Sequence, residues 1–321
     1  MESTWNRMKV CAKAVLPSTW KTCLWLIKLT WAVSFTMLLL KWFGLLPVIA
    51  GAVEPLLRSF GLPGETALPL VSGYFVNVYS ALAIISTLSL TTRQMTILGT
   101  MILCAHSMIL ETSVLKKTGT SAALMVAIRT AACIASGFIL NLILPADMGA
   151  GKAATAAKGI LPAKAMDMSL LWPMTREWLI SSLKLTLMLV AIIFTLNILQ
   201  RILTEFGIMD KISKVLSPLM TVFGLPRKTS FLWIVANIIG LGYGAAALID
   251  EVERGALTKR DVLLVDTHVC TTHSNIEDLL LMTASGGVCW IMLFFRWGIS
   301  MVNVWAIRLG EFCRAKLGAS L

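Results

Sequence analysis

Two short stretches of the chain place ionisable side chains inside apolar runs. His106-Ser107, followed by Glu111, lies in a run from Met95 to Leu115, and His273-Ser274, followed by Glu277 and Asp278, lies in one from Val262 to Ala284. An imidazole with a carboxyl nearby can pass a proton, hydrogen-bond a polar solute or ligate a metal ion. Such groups are costly in hydrocarbon and by default mark a functional centre. On an ideal helix Asp266, Cys270, His273 and Glu277 fall at i, i+4, i+7 and i+11, one narrow stripe with transition-metal ligand types. The matching positions of the first stretch are Gly99, Leu103, His106 and Leu110, so only the histidine recurs. Glu111 and Asp278 stand five positions after their histidines and leave that face, unless the helix turns sharply at His-Ser. Arg129 and Arg296 also lie in apolar segments, free to pair with Glu111 or Asp278 or to extend to an interface. The plainer use of the same histidines is to hydrogen-bond across helices and fix their packing. A metal remains an open alternative. A serine next to a histidine on one helix does not make a nucleophile and base, and no Gly-x-Ser-x-Gly occurs, so no catalytic residues and no enzyme are expected.

The elements that must carry these residues are membrane helices. Hydrophobic residues make up 57% of the 321 and charged ones 14%, with a mean hydropathy of +0.80. A soluble domain usually has about 25% charged residues, and so much apolar surface could not be hidden from water. Runs near the roughly 20 residues of a crossing are Thr22–Phe43, Ala67–Leu88, Met95–Leu115, Ser121–Leu144, Leu179–Leu203, Phe231–Ile249, Val262–Ala284 and Gly287–Ile307. Val48–Phe60 and Ile208–Phe223 are shorter and read as interfacial or half-helices. Several of the 11 tryptophans, among them Trp42, Trp172 and Trp305, stand near segment ends, as amphipathic rings do. Arg7, Lys9, Lys13 and Lys21 precede an apolar run too long for a signal peptide, so an uncleaved first helix with a cytoplasmic start is expected. Arg308, Arg314 and Lys316 place the other end on the same side. The net charge of +11 is scattered between apolar runs, which suits anionic lipid and excludes a nucleic-acid face. The seven cysteines show no paired framework.

The chain also repeats itself. Pro55-Leu56-Leu57-Arg58-Ser59-Phe60-Gly61-Leu62-Pro63 returns as Pro218-Leu219-Met220-Thr221-Val222-Phe223-Gly224-Leu225-Pro226, identical at six of nine positions. Gly73-Tyr74 is then answered by Gly242-Tyr243, Leu90-Thr91-Thr92-Arg93 by Leu257-Thr258-Lys259-Arg260, and Cys104-Ala105-His106-Ser107 by Thr271-Thr272-His273-Ser274. This order predicts a basic segment at 1–21, a first copy at 22–145, a polar linker at 146–177, a second copy at 178–308 and a basic tail at 309–321. Whether the copies run parallel or inverted depends on whether the two short segments span. The expected fold is all-α: a polytopic integral membrane bundle of two internal repeats with about eight to ten spans.

The run Gly240-Leu241-Gly242-Tyr243-Gly244-Ala245-Ala246-Ala247, then Leu257-Thr258-Lys259-Arg260-Asp261, then His273-Ser274-Asn275-Ile276-Glu277-Asp278 resembles the nucleoside-recognition (Gate) membrane proteins. That group includes the spore maturation membrane proteins and the gate segments of ferrous-iron transporters, and is distantly similar to concentrative nucleoside transporters. The Asn- and Thr-rich motifs of the spore maturation proteins are not found here, and neither is the GxxxxGK[ST] loop of the iron transporters' GTPase domain. The resemblance implies a transporter-like protein of the bacterial cytoplasmic (inner) membrane that moves a small polar solute or ion between two repeats. A non-transporting scaffold or accessory subunit and a divalent-metal permease are the alternatives. The expected site is a midplane cluster of His106, Ser107, Glu111, His273, Ser274, Glu277 and Asp278, with Gly73, Tyr74, Gly242 and Tyr243 at a neighbouring backbone break. No cofactor is expected. The expected partners are the lipid bilayer, the solute or ion and, as an open alternative, further copies of the chain, with no nucleic acid.

Overall fold

The computed structural model of the protein describes residues 4–149 and 166–318. Among the described residues there are helices and no strands. In order they are α1 (Thr4–Trp42), α2 (Leu45–Arg58), α3 (Ala67–Phe75), α4 (Val78–Ile85), α5 (Thr92–Ala105), α6 (Met108–Lys117) and α7 (Ala122–Ile143). After the undescribed stretch come α8 (Met168–Glu205), α9 (Ile208–Val222), α10 (Ser230–Ile238), α11 (Leu241–Glu253), α12 (Lys259–Thr272), α13 (Glu277–Ala284) and α14 (Cys289–Gly318). Among the described residues, five helical stretches are long and apolar enough to cross a bilayer: α1, Thr92–Lys117, α7, α8 and α14. The all-α membrane fold expected from the composition holds.

Four of the runs expected as single spans are instead broken in two. Ala67–Leu88 divides into α3 and α4 at Val76-Asn77, and Phe231–Ile249 into α10 and α11 at Ile239-Gly240. Met95–Leu115 divides at His106-Ser107, and Val262–Ala284 at 273–276. Asn77 has extended backbone and its side chain accepts from Ser80 N, so it starts α4 as an N-cap. Gly240 sits at φ 124°, a conformation costly for any residue with a Cβ. Broken backbone is tolerated at membrane depth only inside protein. Accordingly, every residue of α4 except the partly buried Tyr79, and the run Met95–Ala105 of α5, are buried.

The recurring sequence landmarks coincide with recurring local structures. Gly61 (φ 69°) and Gly224 (φ 77°) end α2 and α9 in the left-handed conformation. Leu62 N then bonds back to Leu57 O at 3.0 Å, and Leu225 N to Met220 O at 2.7 Å. These are Schellman turns, which explain both the glycine and the buried Leu after it. Thr91 and Thr258 open α5 and α12 with capping boxes closed by Gln94 and Asp261.

The helices overrun the expected segment boundaries. α1 starts inside the basic segment 1–21, α8 starts at Met168 within the linker 146–177, and α14 runs on to Gly318 through the tail. Asp167 fixes the start of α8 by accepting a hydrogen bond from Ser169 N at 2.9 Å. Residues 150–165 of the linker lie outside the described residues. α1 and α8 pack along each other, joined by small polar contacts: Trp31 Nε1 donates to Thr186 Oγ1 at 2.8 Å, and Asn197 Nδ2 to Thr19 Oγ1 at 3.1 Å. Two apolar cores flank the centre. Leu279, Leu281 and Met282 of α13 pack into the core built mostly by the first half, while Leu115 and Met125 pack into that of the second.

Candidate functional site

α5 and α12 both end at the centre of the molecule on a histidine. His106 and His273 leave the helix with extended ψ angles of 161° and 165°, and the serine after each is left-handed, at φ 48° for Ser107 and 53° for Ser274. The left-handed serine reverses the chain, so a carboxylate five positions on comes back to the imidazole. The freed amides find carbonyls on the other broken helices. Ser107 N donates to Gly73 O at 2.9 Å, and Asn275 N to Asn237 O at 2.9 Å. Gly73 is glycine because a Cβ there would stand 2.9 Å from Ile102 Cγ2 of α5.

An arginine completes each break. Arg129 of α7 and Arg296 of α14 are both 0% exposed. Arg129 donates to Cys104 O at 3.4 Å and to His106 O at 2.5 Å. Arg296 donates to Thr271 O at 2.8 Å and to His273 O at 2.8 Å. Each guanidinium therefore covers the orphan carbonyls of a helix C-terminus and places positive charge at its negative end. Beyond the carbonyls the two differ. Arg129 pairs with Glu111 at 2.5 Å, whereas Arg296 donates to Asn275 Oδ1 at 3.1 Å. Neither extends to an interface.

Between the arginines the imidazoles meet. His106 Nε2 and His273 Nε2 are 3.2 Å apart, with ring centroids 4.9 Å apart. Glu111 bridges them, with Oε1 3.1 Å from His106 Nε2 and Oε2 3.0 Å from His273 Nε2. Asp278 Oδ2 lies 3.2 Å from His106 Nε2. The ring nitrogens on the far side face backbone: His106 Nδ1 is 3.3 Å from Ile102 O and His273 Nδ1 is 3.0 Å from Val269 O. The chemistry available is that of a buried ring of electron-pair donors braced by two fixed cations. It can bind a cation or hold a proton, and it offers no activated nucleophile.

Of the residues expected at the site, His106, His273, Glu111 and Asp278 converge. Ser107 and Ser274 contribute the turn. Glu277 points elsewhere and accepts a short hydrogen bond from Tyr79 Oη. The Asp266–Cys270–His273–Glu277 stripe does not form, because the helix ends between His273 and Glu277 and Asp266 accepts from Thr118 Oγ1 instead. Tyr74 shares a hydrogen bond of 2.8 Å with Thr130. Gly73 and Tyr74 stand within α3, ahead of the break at Val76-Asn77, and Gly242 and Tyr243 stand in the first turn of α11, after the break at Gly240. The close approach there belongs to Gly244, whose Cβ would meet Ala236 Cβ at 2.5 Å, whereas one at Gly242 would meet nothing within 4 Å. The side chain of Tyr243 lies outside the described residues. The carbonyl-capping role of the two arginines was not read from the sequence, although their spacing of 167 equals that of the two histidines. His268 was also passed over. It is buried, takes a hydrogen bond from Trp233 Nε1 at 3.1 Å, and has no part in the cluster.

The profile of the Gate family, described as nucleoside recognition, matches residues 186–293, from α8 into α14. The chain is also similar to a Bacillus subtilis (strain 168) protein described as the uncharacterized membrane protein YvoD. The two are 30% identical over 289 residues, which cover 90% of this chain and 91% of that one. No solved structure matches. With a relative this similar along nearly its whole length, and with its own second half matching the family profile, the chain belongs to the nucleoside-recognition (Gate) family of membrane proteins.

Proposed function

We infer that this protein is a carrier of the bacterial inner membrane that moves a small polar solute or ion through the His106–His273 cluster, between two copies of one helical unit. One observation carries the reading: two broken helices meet with their histidine Nε2 atoms 3.2 Å apart in a fully buried setting. Discontinuous helices that present polar atoms to a buried centre are how secondary transporters build a binding site between repeats. The matched capping boxes, Schellman turns and arginine caps support the reading of two copies. The tight closure of the cluster favours ion-sized cargo over a nucleoside.

The test is uptake by proteoliposomes across nucleosides, small acids and monovalent and divalent cations. H273A and H106A should each abolish uptake while leaving insertion and the elution profile of the folded protein unchanged. Two equivalent copies require the two variants to act alike. A protein that transports nothing, and in which both variants only lower thermal stability, would instead be a scaffold held together by polar contacts.

A further inference from the structure

The central cluster has too many lone pairs for the hydrogens within reach. A carbonyl oxygen only accepts, so the contacts to Ile102 O and Val269 O place a hydrogen on Nδ1 of both His106 and His273. In the neutral rings both Nε2 atoms are then bare. They face each other at 3.2 Å, and their other neighbours are carboxylate oxygens of Glu111 and Asp278 at 3.0–3.2 Å. Nothing among these atoms donates. Arg129 approaches Glu111 Oε2 from outside, bonds to carbonyls through Nε and Nη2, and leaves Nη1 without a partner, while Arg296 donates to two carbonyls and to Asn275 Oδ1 on its own side. Five acceptor atoms this close repel one another unless a positive centre sits between them.

We propose that His106, His273 and Glu111 are the ligands of a divalent transition-metal ion, with Asp278 beside its open position. This deepens the carrier reading and rests on the same cluster as its binding centre. The three ligand atoms lie within 4.8 Å of one another: the two Nε2 atoms are 3.2 Å apart, and Glu111 sets one carboxylate oxygen against each of them, Oε1 at 3.1 Å from His106 and Oε2 at 3.0 Å from His273. Metal–nitrogen and metal–oxygen bonds run at about 2.0–2.2 Å, so a tetrahedral ligand set has edges of about 3.4 Å. The nitrogen–nitrogen and nitrogen–oxygen separations of 3.0–3.2 Å are slightly shorter than such an edge, so a small outward shift of the side chains admits an ion between them. Two imidazoles with one carboxylate suit zinc, ferrous iron, cobalt or manganese rather than the all-oxygen shells of calcium and magnesium. The carbonyl behind each Nδ1 is the outer partner that orients a ligating imidazole and raises its basicity.

The experiment uses the full chain in lipid nanodiscs, stripped with a chelator and titrated with Co²⁺. Visible d–d absorption reads the coordination. One Co²⁺ per chain is expected, displaced by Zn²⁺. H106Q and H273Q should each weaken binding by at least 100-fold. H268Q, which changes a buried histidine outside the cluster, should leave binding as in the wild type. If a ligand variant fails to fold, the wild type alone decides: Co²⁺ should raise its melting temperature and the same concentration of Mg²⁺ should not. Folded wild type that takes up no Co²⁺, or Co²⁺ binding unchanged in H273Q, overturns the proposal. The two readings separate cleanly. Solute uptake that depends on His273 without any Co²⁺ binding, as for a site that holds only a proton, removes the metal and keeps the carrier. Stoichiometric Co²⁺ binding with no flux of any kind removes the carrier and keeps the metal.

Discussion

Replacing Arg296 by methionine isolates what the buried guanidinium does for the fold. Methionine keeps a long flexible stem of similar volume, so little packing is lost. What disappears are three hydrogen bonds, to Thr271 O and His273 O at 2.8 Å each and to Asn275 Oδ1 at 3.1 Å, and two buried carbonyls and one half-buried amide oxygen are left without their donor. Side-chain hydrogen bonds between membrane helices average about 0.6 kcal/mol, which puts the lower end for three near 2 kcal/mol. Removing one partner of a buried charged contact costs about 3–5 kcal/mol, which sets the upper end. R296M should therefore lower the unfolding free energy by about 2–5 kcal/mol. Lysine restores the charge, but one ammonium cannot reach two carbonyls and an amide together, so R296K should recover less than half of the loss. Titration of detergent-solubilised protein with a denaturing detergent, followed by tryptophan fluorescence, measures both. A loss below about 0.5 kcal/mol, the range of an unremarkable surface change, would refute the capping argument, and so would full recovery by lysine.

Two further expectations concern the chain turns and the membrane orientation. Gly61 is left-handed at φ 69°, and an added Cβ would stand 2.1 Å from Asn141 Oδ1, so G61A should cost more than the roughly 1–2 kcal/mol of the backbone term alone; a neutral G61A in the same unfolding assay contradicts the Schellman assignment. Basic residues flank both ends of the chain, at Arg7, Lys9 and Lys13 and at Arg314 and Lys316, so reporter fusions at the two ends should both report the cytoplasmic side, and opposite sides would sink that orientation.

How far the sequence could be read depended on whether a signal was local. The capping box at Thr91 and the Schellman glycine at Gly61 are written in neighbouring residues, and they surfaced as the repeated Leu-Thr-x-Arg and Phe-Gly-Leu-Pro strings before their geometry was known. The His-Ser-plus-acid signature was legible for the same reason, and it brought together His106, Glu111, His273 and Asp278. Glu277 was misplaced because an ideal helix was drawn through Ser274, and periodicity carries no mark for a left-handed residue that is not glycine. Hydropathy alone draws the broken helices as continuous spans, because it averages over a window and is blind to an N-cap such as Asn77; the glycines and the His-Ser pairs mark the neighbourhood of the breaks but not their positions. The capping arginines were invisible for a different reason. Their partners are backbone carbonyls of another helix, and no side-chain pattern encodes those.

Those arginines also dictate where the molecule can give way. Arg129 fastens the end of α5 to α7, and Arg296 fastens the end of α12 to α14, each by charge-assisted bonds to main-chain oxygen. Main-chain oxygen cannot swing aside as a side chain can. Each broken helix is consequently tied to its arginine-bearing neighbour by bonds that no side-chain rotation on the acceptor side releases. Across the seam between the two pairs, the site itself supplies only the contacts of His106 with His273 and Asp278 and of His273 with Glu111. The cluster thus lies on the seam where the two pairs meet, beside the direct packing of α5 on α14 and of α7 on α12.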